Sequence, residues 1–146
     1  MKIPDNTKVQ SAELKVKDLK RSLNFYSHLM GFKIINQTES SAELSANGKQ
    51  PYILKLAEDK SAVYRHKGTT GLFHIAIRLP NRKELARVFL RLFKERIKFQ
   101  GFSDHIVSEA LYLQDPDENG VELYADRPKD EWQYDMGQIV MDTLPL

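Results

Sequence analysis

From Ser11 onward the chain alternates. Ala12, Leu14 and Val16 are apolar, and Ser11, Glu13 and Lys15 between them are polar, which is the period of a half-buried strand. Asp18 stands at a helix N-cap position, and Leu19, Leu23, Tyr26 and Met30 follow at spacings of three and four, giving one apolar helix face that ends at Gly31. Phe32 to Ile35 predicts a strand. Ala42 and Leu44 predict another, which enters a tight hairpin at Asn47-Gly48 and returns over Tyr52 to Leu56. The same order then recurs. Phe73, Ile75, Ile77 and Leu79 alternate with His74, Ala76 and Arg78, so the apolar set is expected to face a helix and the polar set the other way. Asn81 and Glu84 resemble a capping box, and Leu85, Val88, Phe89, Leu92 and Phe93 form the next apolar helix face. Strands are predicted to open at Ile97 and Phe99, to run over Ala110 to Leu113, and to close over Val121 to Tyr124 after the turn Asp115 to Gly120.

One shift of 63 positions superimposes the halves: Ser11 falls on His74, Leu14 on Ile77, Asp18 on Asn81, Tyr26 on Phe89 and Leu29 on Leu92. Strand start, helix cap and apolar face coincide together, which argues for a duplicated βαβββ module. The fold class expected is α+β: two tandem βαβββ modules forming a curved mixed sheet around a cleft, with helices outside. Module one spans about 8–57, a charged linker 58–70, module two about 71–126, and a C-terminal extension 127–146, all within a single domain.

Composition narrows the chemistry. The chain has 146 residues, and 41% of them are hydrophobic, enough for an ordinary core. Charge is nearly balanced at +2, which gives no reason to expect nucleic acid or a membrane surface as partner. The absence of cysteine excludes disulfides, zinc–thiolate sites and thiol nucleophiles. No apolar run approaches the roughly 20 residues of a membrane span, and the N-terminus lacks a secretory apolar stretch, so a cytoplasmic location is expected. There is no glycine-rich phosphate loop and no Gly-x-Ser-x-Gly elbow.

A strand face carrying Ser11, Glu13 and Lys15 in one module and His74 and Arg78 in the other suits a wet cleft better than a core, because unpaired buried charge is costly. Glu122 alternates with Val121 and Leu123 and points toward that cleft, so His74 and Glu122 can meet. An imidazole and a carboxylate with open positions suit Fe, Mn, Ni or Zn as a divalent ion; the plain alternative is a hydrogen-bonded His–Glu pair. Tyr112 points the same way, and with His105 it forms a candidate proton donor and acceptor. The plain alternative is a loop histidine and a packed tyrosine ring. His28 and His66 read as surface residues.

Leu14-Lys-Val-Lys-Asp-Leu-Lys-Arg-Ser-Leu-Asn-Phe-Tyr26 with Gly31-Phe32, Gly71-Leu-Phe-His-Ile-Ala-Ile77 and Asp115-Pro-Asp-Glu-Asn-Gly-Val-Glu-Leu-Tyr124 resemble the module signatures of the vicinal-oxygen-chelate superfamily. Ser103-Asp-His-Ile-Val-Ser-Glu-Ala-Leu-Tyr-Leu-Gln-Asp-Pro116 and Ala125-Asp-Arg-Pro128 narrow the resemblance to the N-terminal half of Bacillus-type catechol-2,3-dioxygenases. That resemblance implies an extradiol dioxygenase-like oxidoreductase acting on a small aromatic diol, with His74 and Glu122 as ligands of Fe(II), or of Mn(II), and His105 and Tyr112 handling protons. It also implies a partner, either a second copy in a homodimer or a C-terminal catalytic half. One position departs from the pattern. The superfamily's first metal histidine falls on Ser11, a poor ligand for Fe(II), so the alternative is a non-catalytic scaffold or small-molecule-binding domain in which no metal is bound. Glyoxalase-type isomerisation and thiol transfer to an antibiotic are further chemistries of the superfamily, with no residue that specifically supports them.

Overall fold

The computed structural model describes residues 2–4, 6–64, 66 and 68–146. Arg65 and Lys67, two of the three residues in the basic run of the linker, lie outside them. The chain divides into two compact units, Met1–Tyr64 and Arg65–Leu146.

In the first unit, β1 (Ala12–Val16) leads through a helix to β2 (Lys33–Gln37), β3 (Ser41–Ser45) and β4 (Leu54–Glu58). The sheet order is β1-β4-β3-β2; β1 runs parallel to β4 and the other pairs are antiparallel. Period-2 alternation puts Leu14, Val16, Ala42, Leu44, Leu54 and Leu56 on one face, all buried, at roughly 1.5–3 kcal/mol for each large side chain. Asp18 caps the helix as expected, its carboxylate accepting from the Arg21 amide at 2.9 Å. The helix differs from an ideal one. After α1 (Leu19–Leu23), residues Asn24–Leu29 continue in wider π-type turns, which carry Phe25, Tyr26 and Leu29 all into the core. The hairpin after β3 also differs. Asn47 and Gly48 do turn, with Gly48 at φ 79°, but the return strand starts at Leu54. A cis Gln50–Pro51 bond intervenes, and Pro51 has no N–H for a ladder.

The second unit repeats the order: β5 (Ile75–Arg78), α2 (Arg82–Lys94), β6 (Phe99–Asp104), β7 (Ser108–Gln114) and β8 (Gly120–Asp126). Its sheet order, β5-β8-β7-β6, with β5 parallel to β8, has the same topology as the first. The α+β class with a duplicated βαβββ order is therefore the fold of this chain. Asn81 caps α2 by accepting from the Glu84 amide at 3.0 Å, while the Glu84 carboxylate bonds Arg87. Leu85 and Leu92 are buried under the helix, but Phe93 is 63% exposed, its ring tilted 30° against that of Phe89 at 5.8 Å between centroids. Phe73 also departs from the expected pattern. It precedes β5, is 84% exposed, and lays its ring against His74, 4.6 Å between centroids. A short ribbon, β9 (Tyr134–Asp135) and β10 (Gln138–Ile139), follows β8, and the tail then pairs Leu144 with Asp104 on β6. Among the described residues no helix is long and apolar enough to cross a membrane.

Candidate functional site

The turn between β7 and β8 sets the site's register. Asp115 is buried, and its Oδ1 accepts from the amides of Asp117 (2.8 Å) and Asn119 (2.9 Å), while Oδ2 takes the Asn119 side chain at 2.9 Å. With the turn so closed, Gln114 pairs with Gly120 and Tyr112 with Glu122, directly across the ladder. The second neighbour of β8 is β5, where Ala76 faces Glu122. Gly120 matters here for its missing side chain. A Cβ on it would stand 2.4 Å from the Phe73 carbonyl oxygen and 3.0 Å from His74 Cβ, so only glycine lets the start of β5 come this close.

Four side chains then form one run. His74 Nε2 lies 2.8 Å from Glu122 Oε2. The Tyr112 hydroxyl donates to Glu122 Oε1 at 3.0 Å. His105 Nε2 lies 2.9 Å from the Tyr112 hydroxyl, and His105 Nδ1 lies 2.9 Å from the carbonyl oxygen of Asp142. All four residues singled out in the sequence are thus brought together. Burial, and then the bond to the Glu122 carboxylate with its charge, pushes the Tyr112 hydroxyl up to about 12 from the ordinary value near 10. Tyr112 therefore keeps its proton at neutral pH.

The hydrogens of this run can be counted. A carbonyl only accepts, so His105 Nδ1 carries a hydrogen toward Asp142. With the Tyr112 hydrogen on Glu122, His105 Nε2 must donate as well. With the Tyr112 hydrogen turned to His105, Glu122 must carry one instead. In either case the run closes only with one proton more than two neutral imidazoles, a phenol and a carboxylate supply. That proton can sit on His105 or on Glu122.

Other sequence candidates are elsewhere. In the first unit Ser11 is exposed just before β1, and the Glu13 carboxylate holds Lys55 Nζ at 3.1 Å, raising the pKa of that lysine. His28 and His66 are exposed, as expected. Two contributors had escaped the sequence pattern. The Asp142 carbonyl is a backbone group, which any residue would present. Phe73 had been placed on the helix side by alternation, and the glycine at position 120 was the one signal that something packs closely there. A cavity of about 740 Å³ opens on the opposite face of this sheet, where Leu85, Phe89, Phe102 and Leu111 line it, and it contains none of the four residues.

The donor set can be tested against a metal. Two cis ligands with bonds of roughly 2.1 Å place their donor atoms about 3 Å apart, close to the spacing of His74 and Glu122. The pair fits a divalent ion completed by water or ligand oxygen. Among the described residues no group of three His, Cys, Asp or Glu stands together, so the pair alone does not make the two-histidine, one-carboxylate triad of Fe(II).

Known proteins give the fold a context. The family profile described as Glyoxalase/Bleomycin resistance protein/Dioxygenase superfamily matches residues 8–123. A catechol-2,3-dioxygenase of Bacillus subtilis (strain 168) is 44% identical over 142 residues, which is 97% of this chain and 50% of that protein. The chain thus spans half the length of this curated relative. A glyoxalase/dioxygenase from Nostoc punctiforme superposes with a TM-score of 0.73 at 19% identity, covering 88% of this chain and 97% of that one. A glyoxylase/bleomycin resistance protein/dioxygenase domain from Frankia sp. EAN1pec gives 0.69 at 20%, covering 83% and 98%. At these identities the two structures speak for the fold alone.

Proposed function

The chain belongs to the glyoxalase/bleomycin resistance protein/dioxygenase superfamily, and from that premise we propose that it is a catechol-2,3-dioxygenase-like domain serving ring cleavage of an aromatic diol. A divalent metal, Fe(II) or Mn(II), would be held by His74 and Glu122. The observation that carries this reading is the unbroken run from His74 through Glu122 and Tyr112 to His105. When bound, the metal supplies Lewis-acid binding of two adjacent hydroxyls and the reaction with O₂, both of whose atoms enter the ring-opened product. The protein's own residues supply the rest. A diol that binds through its oxygens sheds protons, and His105 and Tyr112 form the path on which a proton is taken up and returned. Phe73, exposed against His74, offers an aromatic face to an aromatic substrate. The reading includes a partner: a second copy of this chain, or a counterpart of the relative's other half.

A second reading has its own observation. Ser11 replaces the superfamily's first ligand, and the described residues of this chain bring only two donors together. On this view the domain is a non-catalytic scaffold or small-molecule binder. Oxygen uptake with catechol, measured on protein loaded anaerobically with Fe(II), separates the two. Uptake that disappears in His74→Ala is the expected result. Metal-loaded wild type that consumes no oxygen overturns the enzymatic reading in favour of the scaffold.

A further inference from the structure

His105 is held from behind by the tail. Its Nδ1 meets the Asp142 carbonyl oxygen at 2.9 Å. Two residues on, Leu144 pairs with Asp104, the residue before His105: Asp104 N donates to the Leu144 carbonyl at 2.8 Å, and Leu144 N donates to the Asp104 carbonyl at 2.9 Å. β6 is the edge strand of its sheet, and this bridge occupies backbone groups that an edge leaves open. The Asp104 side chain is fixed as well. Its Oδ1 accepts from the Ile106 amide at 2.8 Å, and its Oδ2 takes Arg127 at 2.6 Å. Ile106 itself sits at φ 71°, a conformation that costs a β-branched residue of order 1–3 kcal/mol and persists only where the surroundings impose it. So the turn that carries His105 is strained, and it is pinned on one side by Arg127 and on the other by the tail.

We propose that the segment Asp142–Leu144 is a positioning strap for the proton run: its backbone, anchored on Asp104, fixes which nitrogen of His105 faces Tyr112. The physical reason is specific. A histidine ring has two unlike nitrogens, and the bond made by one decides the state of the other. The Asp142 carbonyl demands a hydrogen on Nδ1 and thereby leaves Nε2 as the atom that exchanges a proton with Tyr112. Without the strap the ring is free to turn and to change tautomer, and the run ends at Tyr112. This deepens the proton-handling role given to His105 above and rests on that reading, but the strap is measurable without turnover.

The test is long-range ¹H–¹⁵N correlation of the histidine rings in metal-free, ¹⁵N-labelled full chain, with His105 assigned by its loss in His105→Asn. Hydrogen exchange of the Asp104 amide is followed in parallel. Wild type is expected to show a hydrogen-bonded Nδ1–H on His105 and a protected Asp104 amide. Leu144→Pro, which removes the amide that bonds Asp104, is expected to lose both signals, and Leu144→Ala, which keeps the backbone bonds, to retain both. An Nδ1 without hydrogen in wild type, or a Leu144→Pro spectrum unchanged at His105, overturns the proposal. Should Leu144→Pro not fold, the wild-type Nδ1 decides alone. Because no metal or catechol is present, failure here is distinct from failure of the dioxygenase reading: oxygen uptake can be absent while the strap holds His105, and the reverse.

Discussion

At the scale of single residues the site makes sharp demands. Partial burial, and then the bond to the Glu122 carboxylate, pushes the Tyr112 hydroxyl up to about 12 in the folded protein, above its unfolded value near 10. Since the folded state binds this proton more tightly, the stability Tyr112 contributes is fully present below about pH 10 and is lost as pH rises toward 12. An alkaline absorbance titration of wild type minus Tyr112→Phe is expected to show one tyrosine ionising near pH 12; a step near 10 contradicts the buried hydrogen-bonded hydroxyl. Gly120→Ala brings a Cβ against the Phe73 carbonyl, and with no flexible group to yield, the start of β5 must move. The expected cost is about 1–3 kcal/mol in denaturant unfolding, and on the dioxygenase-like reading any metal held at His74 binds more weakly. Glu118 is the opposite case. It is exposed and adopts φ 65° without a side chain that needs to be there, so Glu118→Gly is expected to stabilise by about 0.5–1 kcal/mol, read as a rise in Tm. Three of the four residues in the hydrogen-bonded run were legible from period-2 alternation, which assigns a side to every strand position. His74, Tyr112 and Glu122 follow from it directly; His105, in a turn, came from its chemistry and from the family resemblance. The Asp142 carbonyl was not legible, since a backbone acceptor brought back from the far end of the chain leaves no residue signal.

At the scale of elements, caps and apolar faces were read with success where local physics decides. Asp18 and Asn81 both accept from the amide three residues on. Asn81→Ala is expected to cost about 1 kcal/mol in thermal unfolding, and no change would mean that the helix end is satisfied by something else. The pattern and the structure differ elsewhere. Asn47-Gly48 suggests a tight hairpin, but β3 ends at Ser45 and the return strand starts only at Leu54. The helix of the first unit widens into π-type turns, which a spacing of three and four does not foresee, and Phe25 enters the core in consequence. Phe73 and Phe93 fit the apolar alternation but lie beyond the strand and on the open side of the helix, so their rings are exposed.

At the scale of the whole molecule, the duplication visible as a single shift of 63 positions reappears as two sheets of identical strand order, each with its own buried core. The two copies differ in their candidate ligands. The second copy carries His74 and Glu122, while the position equivalent to His74 in the first is Ser11. The second copy alone brings His74, Glu122, Tyr112 and His105 into one run, and metal binding is the property that tests the dioxygenase-like reading. The direct measurement is elemental analysis of untagged protein prepared without chelator, for wild type and His74→Ala. The dioxygenase-like account expects about one equivalent of iron or manganese per chain in wild type and its loss in the variant. Metal absent from both proteins, or retained in full by His74→Ala, would contradict it and leave His74 and Glu122 as a hydrogen-bonded pair within a binding scaffold.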